Sequence, residues 1–99
     1  MIIGYARVST KEQNLARQLE ALKNAGCEKI YMDKLSGKDF ERPDYQTMIA
    51  NLTSGDVLII LSIDRLGRNY DEIMDEWRRI TKTIKANIKV LDMPLLDTT

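Results

Sequence analysis

The chain has 99 residues, 43% of them hydrophobic, which suits one compact domain with a buried core. Fifteen Lys and Arg residues balance fifteen Asp and Glu residues, so net charge gives no support to nucleic-acid binding and only the placement of charges can. A single cysteine and the lack of histidine exclude an internal disulfide, a Ser-His-Asp triad and a zinc site of Cys and His ligands.

The chain begins with a predicted strand and helix. Ile2–Val8 is a short apolar run with β-branched residues, and Ser9 follows it directly. Thr10 and Gln13 then fit a capping box, and leucines recur at helical spacing up to Gly26, a residue typical of helix ends. We therefore expect a strand and then a helix in this segment.

A second strand and helix are predicted next. Lys29–Met32 has strand character, whereas residues 33–43 (DKLSGKDFERP) carry charges, glycine and proline and predict a surface loop. Pro43 suits the first turn of a helix, which ends before the turn at residues 54–56. The predicted core face of this helix consists of Tyr45, Met48, Ile49 and Leu52.

The last third of the chain predicts a buried strand, a helix and a final strand. Val57–Ile63 is continuously apolar, as expected of a strand covered on both faces in a parallel sheet. Residues 64–68 (DRLGR) follow it, and Asn69 caps the next helix with Glu72 three residues on. The apolar stripe of that helix consists of Ile73, Trp77, Ile80 and Ile84. Ile88–Met93 is the fourth predicted strand.

This order of elements predicts an α/β fold in three layers, α/β/α, with right-handed crossovers and a mainly parallel sheet of four to five strands. Ligands of such sheets bind beyond the carboxyl ends of the strands. Ser9, Asp33 and Asp64 directly follow the first three predicted strands, so we expect the functional site there.

The residues at this edge suit phosphoryl chemistry. Arg7 and Ser9 are two apart in one extended segment, so both side chains should leave the same face. In the run after the third strand, Gly67 permits a tight turn that lets Arg65 and Arg68 converge on one anion. Arginine keeps its charge and binds bidentately, which suits the charge that grows on phosphoryl oxygens in a transition state.

The loop at residues 34–42 adds Lys34, Lys38 and Arg42 near the same edge. Attack by a serine on a phosphodiester would conserve the bond energy in a phosphoserine link, which permits cleavage and rejoining without ATP. Residue types and spacing therefore indicate phosphoryl transfer, but they do not name the substrate.

Three segments resemble the signatures of serine site-specific recombinases, the resolvase and invertase family. The nucleophile motif of that family is similar to YARVSTKEQ at residues 5–13. Its second signature resembles GDVLIILSIDRLGR at residues 55–68, and its intervening active-site loop resembles DKLSG at 33–37 with ERP at 41–43. The resemblance covers nearly the whole chain and implies a resolvase-like fold.

The resemblance also implies roles for individual residues. Ser9 would form a covalent bond to the 5′ phosphate and release a 3′ hydroxyl. Arg7, Arg65 and Arg68 would hold the scissile phosphate and stabilise its transition state, with Arg42 assisting. Neither a metal nor another cofactor is implied.

Five further residues are included by the same resemblance. Asp64 would orient the arginines or take part in proton transfer. The supporting residues would be Tyr5, Gln18, Asp33 and Ser36. For Tyr5, simple packing is the simpler interpretation. The general acid and general base stay unassigned.

The family resemblance implies that residues 1–99 are the catalytic domain of a longer bacterial or mobile-element protein, truncated before a long dimerisation helix and a helix-turn-helix domain. The implied partners are a double-stranded DNA crossover site and further copies of the chain, as a homodimer on each site and a synaptic tetramer. We expect the 99 residues alone to bind DNA weakly and to be inactive in recombination. Without an apolar run of roughly 20 residues or a signal peptide, we expect a cytoplasmic protein with no membrane partner.

Several alternatives remain open at this stage. A receiver-like signalling module would keep its phosphate acceptor where Asp64 lies, although it needs an acidic pocket where this chain has Ser9. Ser9 and Thr10 alone are an ordinary helix cap, and Asp64 with Arg65 an ordinary surface ion pair. Cys27 fits a buried thiol better than a phosphatase nucleophile, because no arginine follows it closely. An inactive relative that only binds partners is the last alternative.

Overall fold

The computed structural model of the chain describes residues 1–9, 15–35 and 42–92. The elements in chain order are β1 (Ile2–Ser9), α1 (Leu15–Asn24), β2 (Lys29–Leu35), α2 (Pro43–Asn51), β3 (Val57–Ile60), a 3-10 helix (Ile63–Leu66), α3 (Tyr70–Arg78), a π-helical segment (Arg79–Ile84) and β4 (Asn87–Val90). In the described part of the chain, no helix is both long and apolar enough to cross a membrane.

The four strands form one parallel sheet in the order β2-β1-β3-β4. After β1 the chain moves outwards to β2, then returns past β1 to β3 and continues to β4. The direction of winding therefore reverses between β1 and β3, which is the kind of position where open α/β sheets bind their ligands. The predicted α/β/α class and parallel sheet are confirmed.

Helices cover both faces of this sheet. On one face, Leu22 of α1 packs with Ala6 and Ile59. On the other face, the core extends from Tyr45 of α2 to Ile80 in the π-helical segment. These two apolar clusters fill the two interfaces between the sheet and the helices on either side of it.

A close contact explains why a glycine lies in the middle of β1. A Cβ atom at Gly4 would be 2.8 Å from the Cys27 sulfur and 3.3 Å from a Leu22 methyl, so glycine allows α1 and its connection to approach the sheet. Cys27 is partly buried rather than fully buried, as it was expected to be, and it packs against the apolar cluster of Ala6, Leu22 and Ile59. This burial raises the pKa of its thiol.

Most of the predicted local features are confirmed. The four residues chosen as the core face of α2 are all buried: Tyr45, Met48, Ile49 and Leu52. The Asn69 side chain accepts a 2.9 Å hydrogen bond from the backbone N–H of Glu72 at the start of α3. Gly26 ends α1 in the left-handed region, with φ of 97°.

The predicted end of the second strand is wrong. β2 does not stop at Met32 but continues through Leu35, because Asp33, Lys34 and Leu35 pair in parallel register with the last three residues of β1. Asp33 therefore lies within the strand instead of directly after it. Residues 33–35 of the predicted loop therefore belong to β2, and residues 36–41 lie outside the described part of the chain.

The third and fourth strands also differ from their predicted bounds. β3 ends at Ile60 rather than Ile63, and the 3-10 helix follows, so Asp64 does not directly follow the strand. β4 begins one residue earlier than predicted and ends at Val90. The predicted helix after Asn69 is α-helical only to Arg78 and then becomes π-helical.

Candidate active site

The described part of the candidate site lies where the direction of winding reverses. It combines the carboxyl end of β1, the start of α2 and the 3-10 helix. Ser9 is the last residue of β1, and its backbone pairs with Leu35 of β2. The Ser9 side chain lies outside the described residues, as do Ser36 and the predicted Thr10 cap.

Main-chain carbonyls of the 3-10 helix bind two guanidinium groups. Arg7 Nη2 donates to the Asp64 carbonyl oxygen at 2.8 Å. Arg42 Nη1 donates to the Leu66 carbonyl oxygen at 2.9 Å and more weakly to that of Arg65 at 3.4 Å. These oxygens can accept from the arginines because no backbone N–H within the helix donates to its last carbonyl groups. A short helix thus gathers arginines from two other elements.

Arg42 is buried, although the sequence placed it in a surface loop. Its residue is only 4% exposed, and its guanidinium carbon lies 3.9 Å from the centre of the Tyr45 ring. Its backbone is left-handed, with φ of 48° and ψ of 63°. The following Pro43 disfavours a right-handed helical conformation at Arg42, so the helix begins only after it. The arginine is packed as part of the protein interior.

Asp33 joins β1, β2 and α2. Its Oδ2 atom accepts hydrogen bonds from the Tyr5 hydroxyl at 2.7 Å and from the Tyr45 backbone N–H at 2.9 Å. Its Oδ1 atom accepts from the Asp44 backbone N–H at 3.0 Å. The residue is 3% exposed. Three donors, one from β1 and two from α2, therefore hold the Asp33 carboxylate in place.

Tyr5 is completely buried and contacts Tyr45 edge to face, with 5.0 Å between the ring centres. Burial, the hydrogen bond to Asp33 and the charge of Asp33 all raise the pKa of the Tyr5 hydroxyl far above its usual range. The hydroxyl therefore stays protonated and donates to Asp33. This environment agrees with the packing interpretation of Tyr5.

Positive charges accumulate around Arg7. Burial lowers the pKa of the Arg7 guanidinium, and the nearby charges of Arg65 and Arg42 lower it further, against an opposing contribution from Asp64. The Arg7 guanidinium is thus close enough to Arg42 and Arg65 to be repelled by both. An anion that binds among them would relieve this repulsion.

Gln18 and Arg65 line a cavity of about 380 Å³ on the α1 side of the site. Gln18 is 6% exposed, and its Oε1 atom has no hydrogen-bond partner within the described ranges; the same holds for the Nε atom of Arg65. The other residues lining the cavity are Arg17, Ala21, Leu61, Ser62 and Asp92. Gln18 therefore lies close to one of the predicted phosphate-binding arginines.

Asp64 and Arg68 lie further out. The Asp64 side chain is 63% exposed, accepts a hydrogen bond from the Ser62 hydroxyl and lies 3.8 Å from Arg65 Nη1. The Arg68 side chain is 57% exposed, and its Nε atom is 4.0 Å from a carboxylate oxygen of Glu72. The structure thus packs Arg42 inside the site, while Arg68 lies at its periphery.

Gly67 is needed for a reason other than the predicted one. Its backbone is extended, with φ of −165°, so no left-handed turn requires glycine here. A Cβ atom at this position would instead be 2.8 Å from the Ile73 nitrogen and 2.9 Å from backbone and side-chain atoms of Glu72. The absence of a side chain lets the run after the 3-10 helix pass against the start of α3.

Two contributors were not predicted from the sequence. Tyr45, predicted as a core residue of α2, also supports the Arg42 guanidinium with its ring and donates from its hydroxyl to Glu76. The sequence feature that could have indicated this contact is the spacing of the two residues: Arg42 directly precedes α2, and Tyr45 lies three positions later in its first turn. Ser62, which lies within the apolar run that predicted a strand, donates from its hydroxyl to the Asp64 carboxylate.

Comparison with known proteins decides the family. A family model described as "Resolvase, N terminal domain" matches residues 2–99. The chain belongs to the resolvase family. This confirms the resemblance drawn from the sequence, and a receiver-like signalling module is not favoured. Asp64 also lies in the 3-10 helix, not at the end of β3 where a receiver would need its acceptor.

Several resolvase-family proteins are similar in sequence. The DNA-invertase of Enterobacteria phage P7 is 54% identical over 74 residues, which are 75% of this chain and 40% of the invertase. The Tn21 resolvase of Escherichia coli is 44% identical over 82 residues, 83% of this chain and 40% of that protein. A resolvase of Clostridium perfringens is 40% identical over 100 residues, 99% of this chain and 52% of that resolvase. The chain spans about half the length of these relatives or less.

One solved structure of similar fold is the crystal structure of the N-terminal catalytic domain of TP901-1 integrase. It matches with a TM-score of 0.71 and 24% identity, covering 94% of this chain and 78% of that one. At this identity the match supports the shared fold, and the resolvase-like class predicted from the sequence is confirmed.

Proposed function

We propose that residues 1–99 are the catalytic domain of a site-specific DNA recombinase that uses Ser9 as its nucleophile. One observation carries the proposal: Arg7 and Arg42, from separate elements, converge on the 3-10 helix that contains Arg65, beside the end of β1 where Ser9 lies. Membership of the resolvase family supports it, as do relatives named DNA-invertase and resolvase.

The proposed reaction exchanges one phosphate ester for another. The Ser9 oxygen attacks phosphorus, an Oγ–P bond forms, and the bond between phosphorus and the 3′ oxygen breaks. The Ser9 proton leaves during attack, and the departing 3′ oxygen gains one proton. The reverse reaction with a new 3′ hydroxyl rejoins DNA. Because each step exchanges one phosphate ester bond for another, no ATP is required. In this proposal the arginines, and not a metal, supply the positive charge.

The guanidinium groups supply the electrostatic part of this reaction. Arg7, Arg65 and Arg68 would bind the scissile phosphate, with Arg42 assisting and Asp64 orienting the arginines or taking part in proton transfer. Repulsion of the Arg7 charge by those of Arg42 and Arg65 favours the arrival of an anion. Fixed guanidinium donors stabilise the charge that grows on the non-bridging oxygens of the phosphate.

The proposed partners follow from the family. The substrate is a double-stranded DNA crossover site, and two copies of the whole protein would act on each site, with two such dimers joining in a synaptic tetramer. These 99 residues would supply the chemistry, and other parts of a longer protein would supply dimerisation and recognition of the site.

The direct test is covalent trapping on DNA. This chain is joined to the C-terminal part of the Escherichia phage P1 DNA-invertase, which is 54% identical over 74 residues, and mixed with nicked suicide DNA carrying that invertase's site. We expect a protein–DNA adduct in EDTA at neutral pH that disappears in Ser9→Ala. Ser54→Ala, in an exposed turn, is the control and should form the adduct normally.

Two results would contradict the proposal. An adduct that persists in Ser9→Ala would place the nucleophile elsewhere. Cleavage that stops when EDTA is added would indicate a metal-dependent nuclease.

A further inference from the structure

Helix α2 begins without a side-chain cap of its own. Arg42 occupies the capping position, and its side chain makes no capping hydrogen bond. The first turn of any helix contains backbone N–H groups that have no acceptor within the helix. Serine, threonine, asparagine or aspartate at the capping position usually accepts from them. In this chain the capping position is occupied by an arginine in the left-handed conformation.

The missing cap is supplied from the sheet. Asp33, on β2, accepts from the backbone N–H groups of Asp44 and Tyr45, at 3.0 and 2.9 Å. Its negative charge also lies at the positive end of the helix dipole. The Tyr5 hydroxyl, on β1, donates to the same carboxylate at 2.7 Å and fixes its orientation.

This cap determines where Arg42 lies. The guanidinium of Arg42 contacts the Tyr45 ring at 3.9 Å and donates to the Leu66 carbonyl oxygen at 2.9 Å. Both contacts depend on the position of the first turn of α2. If the first turn moved, the ring that supports the guanidinium and the backbone that carries it would move together.

We infer that Asp33 is a positioning residue, which caps α2 from the neighbouring strand and thereby holds Arg42 against the 3-10 helix that contains Arg65. The inference rests on the proposed function in one respect, that Arg42 assists the reaction on phosphate. Asp33 is not itself placed to contact DNA, because it is 3% exposed and both of its oxygens accept hydrogen bonds from within the domain.

The first arm of the test measures the cap and needs no activity. Hydrogen exchange of the Asp44 and Tyr45 amides is compared in the wild type and in Asp33→Asn, which keeps the shape but removes the charge and one acceptor. We expect exchange at one or both amides to quicken by about tenfold, the scale of a lost helix cap. The control is Asp44→Asn, which removes a charge from the same turn but leaves the cap, and should change neither rate by more than about twofold.

The second arm measures the consequence for catalysis in the joined protein used for covalent trapping. Asp33→Asn should slow cleavage at saturating DNA by about 10- to 100-fold, as expected when a catalytic group is displaced by about 1 Å. The affinity for DNA should be unchanged. In an Arg42→Ala background, the same substitution should slow cleavage by no more than about twofold, because its effect passes through Arg42.

The outcomes separate this inference from the proposed function. A wild-type protein that forms no Ser9-dependent adduct would refute the proposed function, while amide exchange would still decide whether Asp33 caps α2. Unchanged exchange at both amides would overturn the inference, as would an equal loss of cleavage with and without Arg42. If Asp33→Asn does not fold, Asp33→Glu keeps the charge, displaces the oxygens and should give the same two signatures.

Discussion

Main-chain oxygens position the guanidinium groups of this site. A carbonyl oxygen orients an arginine without cancelling its charge, so Arg7 and Arg42 can be held in place and still attract a phosphate. Arg65 has a different environment, because its Nη1 atom lies 3.8 Å from the exposed Asp64 carboxylate and the residue lines a cavity together with Gln18. Arg65 lies on the 3-10 helix that Arg7 and Arg42 contact, so its replacement tests the site directly.

Replacing Arg65 by alanine should slow DNA cleavage in the joined protein by about 100-fold or more, the effect of removing one donor from a preorganised anion site. Single-turnover cleavage at saturating DNA measures it. Arg78→Ala is the matched control, since that arginine is 61% exposed on α3 and pairs only with Asp75 among the contacts described for it. A loss of similar size in the control would show that general charge, and not the site, is responsible.

The sequence predicts which residues lie near the ends of the strands, but not which of them contact each other. The structure brings Arg7 and Arg42 to the 3-10 helix that contains Arg65, near the edge where β1 ends, as expected when strand ends in a parallel sheet meet at a common edge. The roles of these arginines and of Ser9 stay predictions. The burial of Arg42 and the capping role of Asp33 were not predictable, since both depend on partners 11 to 24 residues away. Periodicity describes faces of single elements, and it carries no information about such pairings.

At the element scale, the 3-10 helix links the sheet to the site. β3 stops at Ile60, and the next residues turn so that their carbonyls face the arginines. The apolar pattern predicted a longer strand, because Leu61 and Ile63 continue the hydrophobic run. Hydrophobicity alone does not distinguish the end of a strand from a buried turn. Pairing in the sheet, which the sequence does not display, makes that distinction.

Gly67→Ala should destabilise the domain by about 1–3 kcal/mol, because the new methyl group would overlap backbone atoms at the start of α3. The change is measured as the free energy of unfolding in urea. Gly26→Asn is the comparison, since a Cβ atom there meets nothing within 4 Å and asparagine tolerates a left-handed backbone. Equal destabilisation by the two substitutions would refute the steric explanation for Gly67.

Asp56 links several parts of the molecule at the edge of the sheet opposite to the candidate site. Its side chain accepts from the Thr53 backbone N–H at 2.9 Å and from the amino terminus at 3.0 Å. The Thr53 hydrogen bond is the largest cause that lowers the pKa of Asp56 below its usual value, with the amino terminus contributing. This cluster lies at the edge opposite to the candidate site, so its effects should be confined to stability.

The pH dependence of stability follows from the direction of that shift. Because the folded pKa lies below the unfolded value of about 4, the stabilisation is complete above that value and is lost as the pH falls through the folded pKa. The wild type should therefore exceed Asp56→Asn in free energy of unfolding at pH 6, and the difference should shrink below about pH 4. Urea unfolding of both proteins between pH 2.5 and pH 6, a range on the order of the carboxylate titration, measures it. A difference independent of pH would show that Asp56 stabilises without its charge.

The whole account depends on which atom of the protein becomes joined to DNA. Protease digestion of the trapped adduct, followed by mass spectrometry of the nucleotide-bearing peptide, identifies that atom. We expect a phosphoryl link to Ser9, with the 5′ phosphate on the protein and an unmodified 3′ hydroxyl on the other DNA end. A link to Asp64, to Cys27 or to any other side chain, or a 3′ phosphate in the adduct, would contradict it.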